Sequence, residues 1–296
     1  MRLDDERESD NVEDMRGSSG GSGGFPLGGR SIGIGTVAIA LVASYFLGVD
    51  PSVILGILSG GGGGTEQQAP ARVEQGPAPR PPQSDQKAIF VSRVLATTED
   101  TWGEIFRESG KTYPPPKLTL FTGSFPTACG QGRSAAGPFY CPADQKVYID
   151  LQFYQLMRDR FHASGDFAQA YVIAHEVGHH IQNLLGISEQ MQNRRGRVSA
   201  EQYNALSVRL ELQADCFAGI WAKRTDQTKH FLEPGDVEGA LTAAAAIGDD
   251  TLQKQAQGYA VPDSFTHGTS AQRVQWLQKG LATGDLKSCD TFKAPL

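Results

Sequence analysis

Apolar positions along the chain follow three patterns. One unbroken run fills Ile32 to Val49, 18 residues without a formal charge that end at Asp50-Pro51. A helical period marks several later stretches. Ala168 to Leu185 carries one, with Asp166 placed as N-cap, Gln169 three positions on and Gly186 suited to the C′ site. A second helix begins after Ser199, with Gln202 at its third position, and runs through Leu206, Leu210 and Phe217 to about Lys223. Ser84 suits the cap of a helix through Val91 and Leu95, and a separate helical piece surrounds Trp102 to Phe106. Pro234 opens an Ala-rich helix, and Ser270 caps a last one through Val274 and Leu277. Period-two alternation predicts strands at Lys117–Phe121 and Lys146–Asp150. The fold class expected for this pattern is α+β, mainly helical.

The patterns divide the chain into four parts. Residues 1–30 form an acidic, then Gly/Ser-rich head, with seven acids and, after Met1, only Leu3, Val12 and Met15 apolar among the first 16 residues. Such a composition predicts a disordered head. Residues 31–58 read as a transmembrane anchor, since 18 uncharged residues reach the short end of a spanning helix and Ser52 to Ser59 is apolar again. Residues 59–83 are a Gly/Pro-rich linker expected to be extended and solvated. Residues 84–296 hold the folded domain. Arg30 flanks the run on its N-terminal side, and no Lys or Arg occurs from Asp50 to Ala71. The positive-inside rule therefore predicts a single-pass protein of the inner (cytoplasmic) membrane, with the N-terminus in the cytoplasm and the domain periplasmic or otherwise extracytoplasmic. A cleaved signal peptide fits less well, because the run starts late, behind acids, and no clear small-x-small site follows.

Composition narrows the partners. The formal charge is −6 and no basic block is present, which argues against nucleic acid. Gly (35) and Pro (16) make up about a sixth of the chain, above the roughly 12% of average usage, as linkers require. The sequence leaves the oligomeric state open. The four cysteines, Cys129, Cys141, Cys216 and Cys289, all lie in the part that topology places outside the cytoplasm. Four cysteines allow three pairings or none. Cys129–Cys141 is favoured, since it closes a short loop worth about 3 kcal/mol in the chain-entropy model. Cys216–Cys289 would then tie the C-terminal tail to the helix after Ser199.

The sharpest chemical feature is His175-Glu176-Val177-Gly178-His179. Residues four apart on a helix differ by about 40° in azimuth, so both imidazoles share a face and can reach one ion. Glu176 follows the first histidine and can lean over the ion's open side. Roughly 0.006 chance matches are expected in a chain of this composition, so two unrelated histidines are a poor account of it. A third ligand is needed. Glu211-Leu-Gln-Ala-Asp215 offers two acids four apart on the next helix. Glu211 suits the ion, and Asp215 suits the other N–H of a ligating histidine, whose tautomer it would fix. Imidazole and carboxylate ligands with one open position favour a single catalytic Zn2+. His180 points about 100° away from His179 and reads as structural. His162 and His230 sit in polar surroundings and read as solvated.

With these residues in view, the chain resembles the neutral zinc metallopeptidases, bacterial membrane-anchored proteins with the gluzincin ligand arrangement. The resemblance spans nearly the whole chain apart from the linkers. It is carried by Glu8-Ser-Asp-Asn-Val-Glu-Asp14, Gly137-Pro-Phe-Tyr-Cys-Pro142, the HEVGHH core, ELQADC from Glu211 to Cys216, and Thr266-His-Gly. It implies a zincin-like domain in which Glu211 is the third ligand and Asp215 stands behind the ligands. It further implies that His267, ahead of Arg273, hydrogen-bonds the oxyanion while Arg273 braces the loop. A surface-loop role for His267 is the equal alternative. The function so implied is zinc-dependent hydrolysis of peptide bonds in a peptide or protein substrate, with Glu176 as general base. The alternatives are a catalytically silent peptidase-like module that binds envelope proteins, and a tethered protein whose metal only stabilises the fold.

Overall fold

The computed structural model describes residues 1–17, 78–134, 137–161, 163 and 165–295. The expected anchor at 31–58 and most of the linker lie outside the described residues. Among the described residues, no helix is long and apolar enough to cross a membrane.

The core is helical, with a small sheet along one side. Helix α1 (Gln86–Glu108) starts at Asp85, whose carboxylate accepts from the Lys87 and Ala88 amides at 3.1 Å each. Asp85, not Ser84, is therefore the cap. The helix is one piece, where the sequence suggested two. Thr97 and Thr98 bridge the polar interval by donating to Val94 O and Leu95 O, both at 2.7 Å. Thr97 also accepts from the Trp221 indole at 3.2 Å. Its buried side, Ala88, Val91, Leu95, Trp102 and Ile105, keeps the helical spacing throughout.

Strands β1 (Val12–Asp14), β2 (Lys117–Leu120), β5 (Phe139–Cys141) and β6 (Lys146–Ile149) form a four-stranded sheet in the order β1-β2-β6-β5. The first three are parallel and β5 is an antiparallel edge. Leu118 pairs with Val147 and Leu120 with Ile149, all fully buried. Strands β3 (Ser124–Thr127) and β4 (Gly130–Arg133) make a separate hairpin. Cys129 at its turn is bonded to Cys141 on β5, and Cys216 is bonded to Cys289. Both pairings match the favoured reading.

The head corrects the sequence reading. Residues 1–17 belong to the same compact unit as residues 78 onward. Val12 sits opposite Leu118, and Val12 and Leu3 are buried in the main core. The acids that suggested disorder find cations far along the chain. Glu13 lies 2.9 Å from Lys117 and 2.6 Å from Lys146, while Arg7 pairs with Glu99 and Asp100 on α1. Composition counted these charges without their partners.

Helices α2 (Gln152–Phe161), α3 (Asp166–Leu184), α4 (Ile187–Arg194), α5 (Ala200–Lys229), α6 (Asp236–Ala246), α7 (Asp249–Gln257) and α8 (Ser270–Thr283) complete the fold. Asp166 is the first helical residue of α3, and the cap is Gly165 with no side-chain bond. Ser199 and Gln202 form the expected capping box on α5, which runs to Lys229, beyond the expected end. Thr269, not Ser270, caps α8, and the Ala-rich α6 begins after Gly235.

Two close approaches lock α5 against its neighbours. A Cβ on Gly178 of α3 would stand 3.1 Å from Ala214 O on α5. A Cβ on Gly280 of α8 would stand 2.0 Å from Cys216 O. The backbones of α3 and α8 therefore lie directly on α5, and side chains from all three reach a common point.

Candidate metal centre

His175 and His179 project from one face of α3 toward Glu211 on α5. His175 Nε2 is 3.1 Å from Glu211 Oε2, and His179 Nε2 is 3.5 Å from Glu211 Oε1. One ligand atom from each of the three lies within 4.8 Å of the other two. Ligand atoms about 2.0–2.1 Å from a tetrahedral zinc ion stand about 3.3 Å apart, close to the two spacings from Glu211 to the histidines. The other ring nitrogens are also engaged. His175 Nδ1 lies 2.8 Å from Asp215 Oδ1, and His179 Nδ1 lies 2.9 Å from Gln182 Oε1. Both acceptors favour a proton on Nδ1 and leave each Nε2 lone pair facing the shared point.

Asp215 is fully buried and saturated with donors. Beyond His175 it accepts from the Tyr171 hydroxyl at 2.6 Å and from Arg273 Nε and Nη2 at 2.9 Å each. Arg273 thus braces Asp215 itself. Burial works against the Asp215 carboxylate, yet Arg273 and His175 hold its pKa down at about 2. Burial likewise disfavours a charged His175, but Asp215 and then Glu211 push its pKa up to about 10. His179 moves the other way, lowered chiefly by burial. Burial opposes the charge on Glu211 as well, but His179 and His175 hold its pKa well below the usual 4.5.

Glu176 is buried beside this cluster, and the Tyr140 backbone on β5 is near enough to favour its charged form. Burial pushes its pKa up to about 7, against the pull of His175. The edge strand that delivers this backbone is itself tied to α3. His180, fully buried, holds Tyr140 Oη at 2.9 Å through Nδ1 and Pro114 O at 2.8 Å through Nε2. Asn183 donates to the same hydroxyl at 3.1 Å. His180 is therefore structural, as its azimuth suggested. His230 is exposed at the end of α5, and His162 lies outside the described residues.

A cleft of about 550 Å³ opens over the three candidate ligands. Its apolar wall includes Phe139, Phe153, Phe161, Val172 and Leu252, with Arg160 among them. His267 borders the same cleft and is half exposed. Its loop is gathered by Asp249, whose Oδ2 accepts from the Thr266, His267 and Gly268 amides at 2.7, 2.6 and 3.0 Å. Asp249 Oδ1 lies 3.2 Å from His267 Nδ1, and this contact raises the histidine's pKa. A larger cavity of about 740 Å³ lies beside Met191, Phe217 and Phe292 and holds none of the three ligands.

Sequence reasoning found His175, Glu176, His179, Glu211, Asp215, His267 and Arg273, and all seven border the cleft or support it. It missed Tyr171, Gln182 and Asp249. Tyr171 stands four residues before His175 and Gln182 three after His179, so helical spacing alone places both beside the ligands. Asp249 carried no such signal.

The sequence model of one family, described as "Putative neutral zinc metallopeptidase", matches residues 1–292. A protein of Escherichia coli (strain K12), "Uncharacterized protein YpfJ", is 51% identical over 296 residues, 99% of each chain. "Uncharacterized protein Rv2575" of Mycobacterium tuberculosis (strain H37Rv) is 41% identical over 215 residues, 69% of this chain and 72% of that one. No solved structure matches. The family match takes in the acidic head together with the HEVGH helix and the α5 acids, and on that extent the chain belongs to the neutral zinc metallopeptidase family.

Proposed function

We propose that the protein is a zinc-dependent endopeptidase. The observation that carries this reading is the convergence of His175 Nε2 and His179 Nε2 on Glu211, with each Nδ1 held by its own acceptor. Three such side chains would hold one zinc ion and leave a coordination position open. The chemistry an ion supplies there is polarisation of a carbonyl and acidification of a water near neutral pH.

The chain's own residues supply the rest. Glu176, with a pKa near 7, is suited to take a proton from the attacking water and return it to the departing amine. His267 has Nδ1 occupied by Asp249, so Nε2 is the nitrogen that can donate to the carbonyl oxygen as charge grows there. Arg273 fixes Asp215, and Asp215 fixes the ring of His175. The aromatic wall of the cleft suits apolar side chains of a peptide substrate.

The test is incubation of the zinc-loaded full chain with a diverse peptide library, beside the Glu176→Gln variant. Cleavage by the parent, none by the variant and equal zinc content in both are the expected results. Equal cleavage by both removes Glu176 as the base. No cleavage by either removes the peptidase reading and leaves a binding module.

A further inference from the structure

The described residues of the head end at Gly17 and those of the domain begin at Ala78, and the residues flanking these two points are neighbours. The Asp14 amide donates to Pro79 O at 2.7 Å, and the Arg16 guanidinium reaches Asp85 at 2.7 Å. On the head side, Leu118 N–H donates to Asn11 O and Met15 N–H to Leu120 O, each at 2.8 Å. Between these anchors runs the segment with the uncharged stretch Ile32 to Val49.

A chain changes sides with each membrane crossing. One crossing between Gly17 and Ala78 would leave β1 on one side of the bilayer and its partner β2 on the other. The pairing of Val12 with Leu118 and of Glu13 with Lys117 and Lys146 then has no way to form. The number of crossings must be even or zero. Two full crossings fit the sequence poorly. After Asp50-Pro51 only Ser52 to Ser59 is apolar before the glycine run. Eight helical residues span about 12 Å, against a hydrocarbon core of about 30 Å.

We infer that residues 1–17 lie on the same, extracytoplasmic side as the candidate metal centre. The compartment follows from the disulfides Cys129–Cys141 and Cys216–Cys289, which persist in oxidising surroundings. The single-pass orientation suggested by the flanking charges gives way, because it separates segments that are hydrogen-bonded together. This inference is independent of whether the protein cleaves peptides.

Thiol labelling of the full chain in intact spheroplasts tests it. All four native cysteines are paired, so they give no background. Glu8→Cys on the head and Lys111→Cys on the domain are both at exposed positions. A membrane-impermeant maleimide should label both to a similar extent without permeabilisation. Labelling of only one of the two before permeabilisation overturns the shared side. Labelling of neither overturns the extracytoplasmic placement. A third variant, Val12→Cys, checks that the head is docked, since Val12 is buried. It should resist labelling in the extracted native protein and react after urea. Rapid native labelling of Val12→Cys overturns the docking on which the inference rests.

Discussion

Asp215 and Glu13 are both carboxylates held by cations, at different depths. Asp215 is fully buried, bound twice by Arg273 and also by Tyr171 and His175. Glu13 sits at the sheet margin between Lys117 and Lys146, and the Lys117 side chain is 56% exposed. In the first case the geometry is fixed by four donors and is passed on to His175 of the candidate metal group. In the second, two lysine ammonium groups and the Thr119 hydroxyl hold the carboxylate and pin a short strand. The same pairing of charges thus orients chemistry in one place and only docks backbone in the other. Depth and the number of fixed donors make the difference, not charge.

The largest expected break in that comparison is Asp215→Ala. It leaves the Arg273 guanidinium buried without a counter-charge, which costs about 3–5 kcal/mol. Chemical denaturation of the parent and the variant measures it. A loss under 1 kcal/mol would mean that the deep pair is no more than its shallow counterpart. Replacing both partners, Asp215→Leu with Arg273→Met, should recover much of that stability, since an apolar pair of similar volume removes the orphaned charge.

The double replacement should not recover metal binding. Zinc affinity should fall about 10–100-fold in Asp215→Asn and in the double variant alike, because His175 Nδ1 loses its carboxylate. Competition with a chromogenic chelator reads this. Parent-like affinity in the double variant would make Asp215 a purely structural acid.

The smallest effect belongs to the head. Glu13→Gln should cost about 1 kcal/mol, since solvent screens an exposed Lys117 and a partly exposed Lys146. Burial disfavours the charge on Glu13, but Lys146 and Lys117 hold its pKa below the usual 4.5. Its contribution is therefore complete above pH 4.5 and is lost as pH falls through the lowered value. Acid unfolding midpoints of the parent and Glu13→Gln should converge below that pH. Curves that stay parallel would remove Glu13 from the docking.

Local chemistry was readable from the chain. The HEVGH spacing places two imidazoles on one face of α3, and Ser199 with Gln202 marks the start of α5. Short-loop reasoning favoured Cys129–Cys141 and left Cys216–Cys289 as the remaining pair, and both are formed. The opening of the chain was not readable, because its acids look unpaired until α1, α5, β2 and β6 bring Arg93 to Asp4, Lys229 to Glu6, and Lys117 and Lys146 to Glu13. Nor was Asp249 readable, since its ligands are backbone amides that become convergent only when the loop before α8 folds over it.

The sequence by itself determined which side chains can ligate a metal and where the helices carrying them begin, because both depend on neighbours within a turn or two. Tertiary structure alone decided that Glu211 meets the two histidines, that Arg273 binds Asp215, and that the first residues join the sheet. Each of these joins residues tens to more than a hundred positions apart. Such contacts depend on glycine letting two backbones touch, on a distant cation neutralising an acid, or on a strand finding its partner, and no local pattern encodes these.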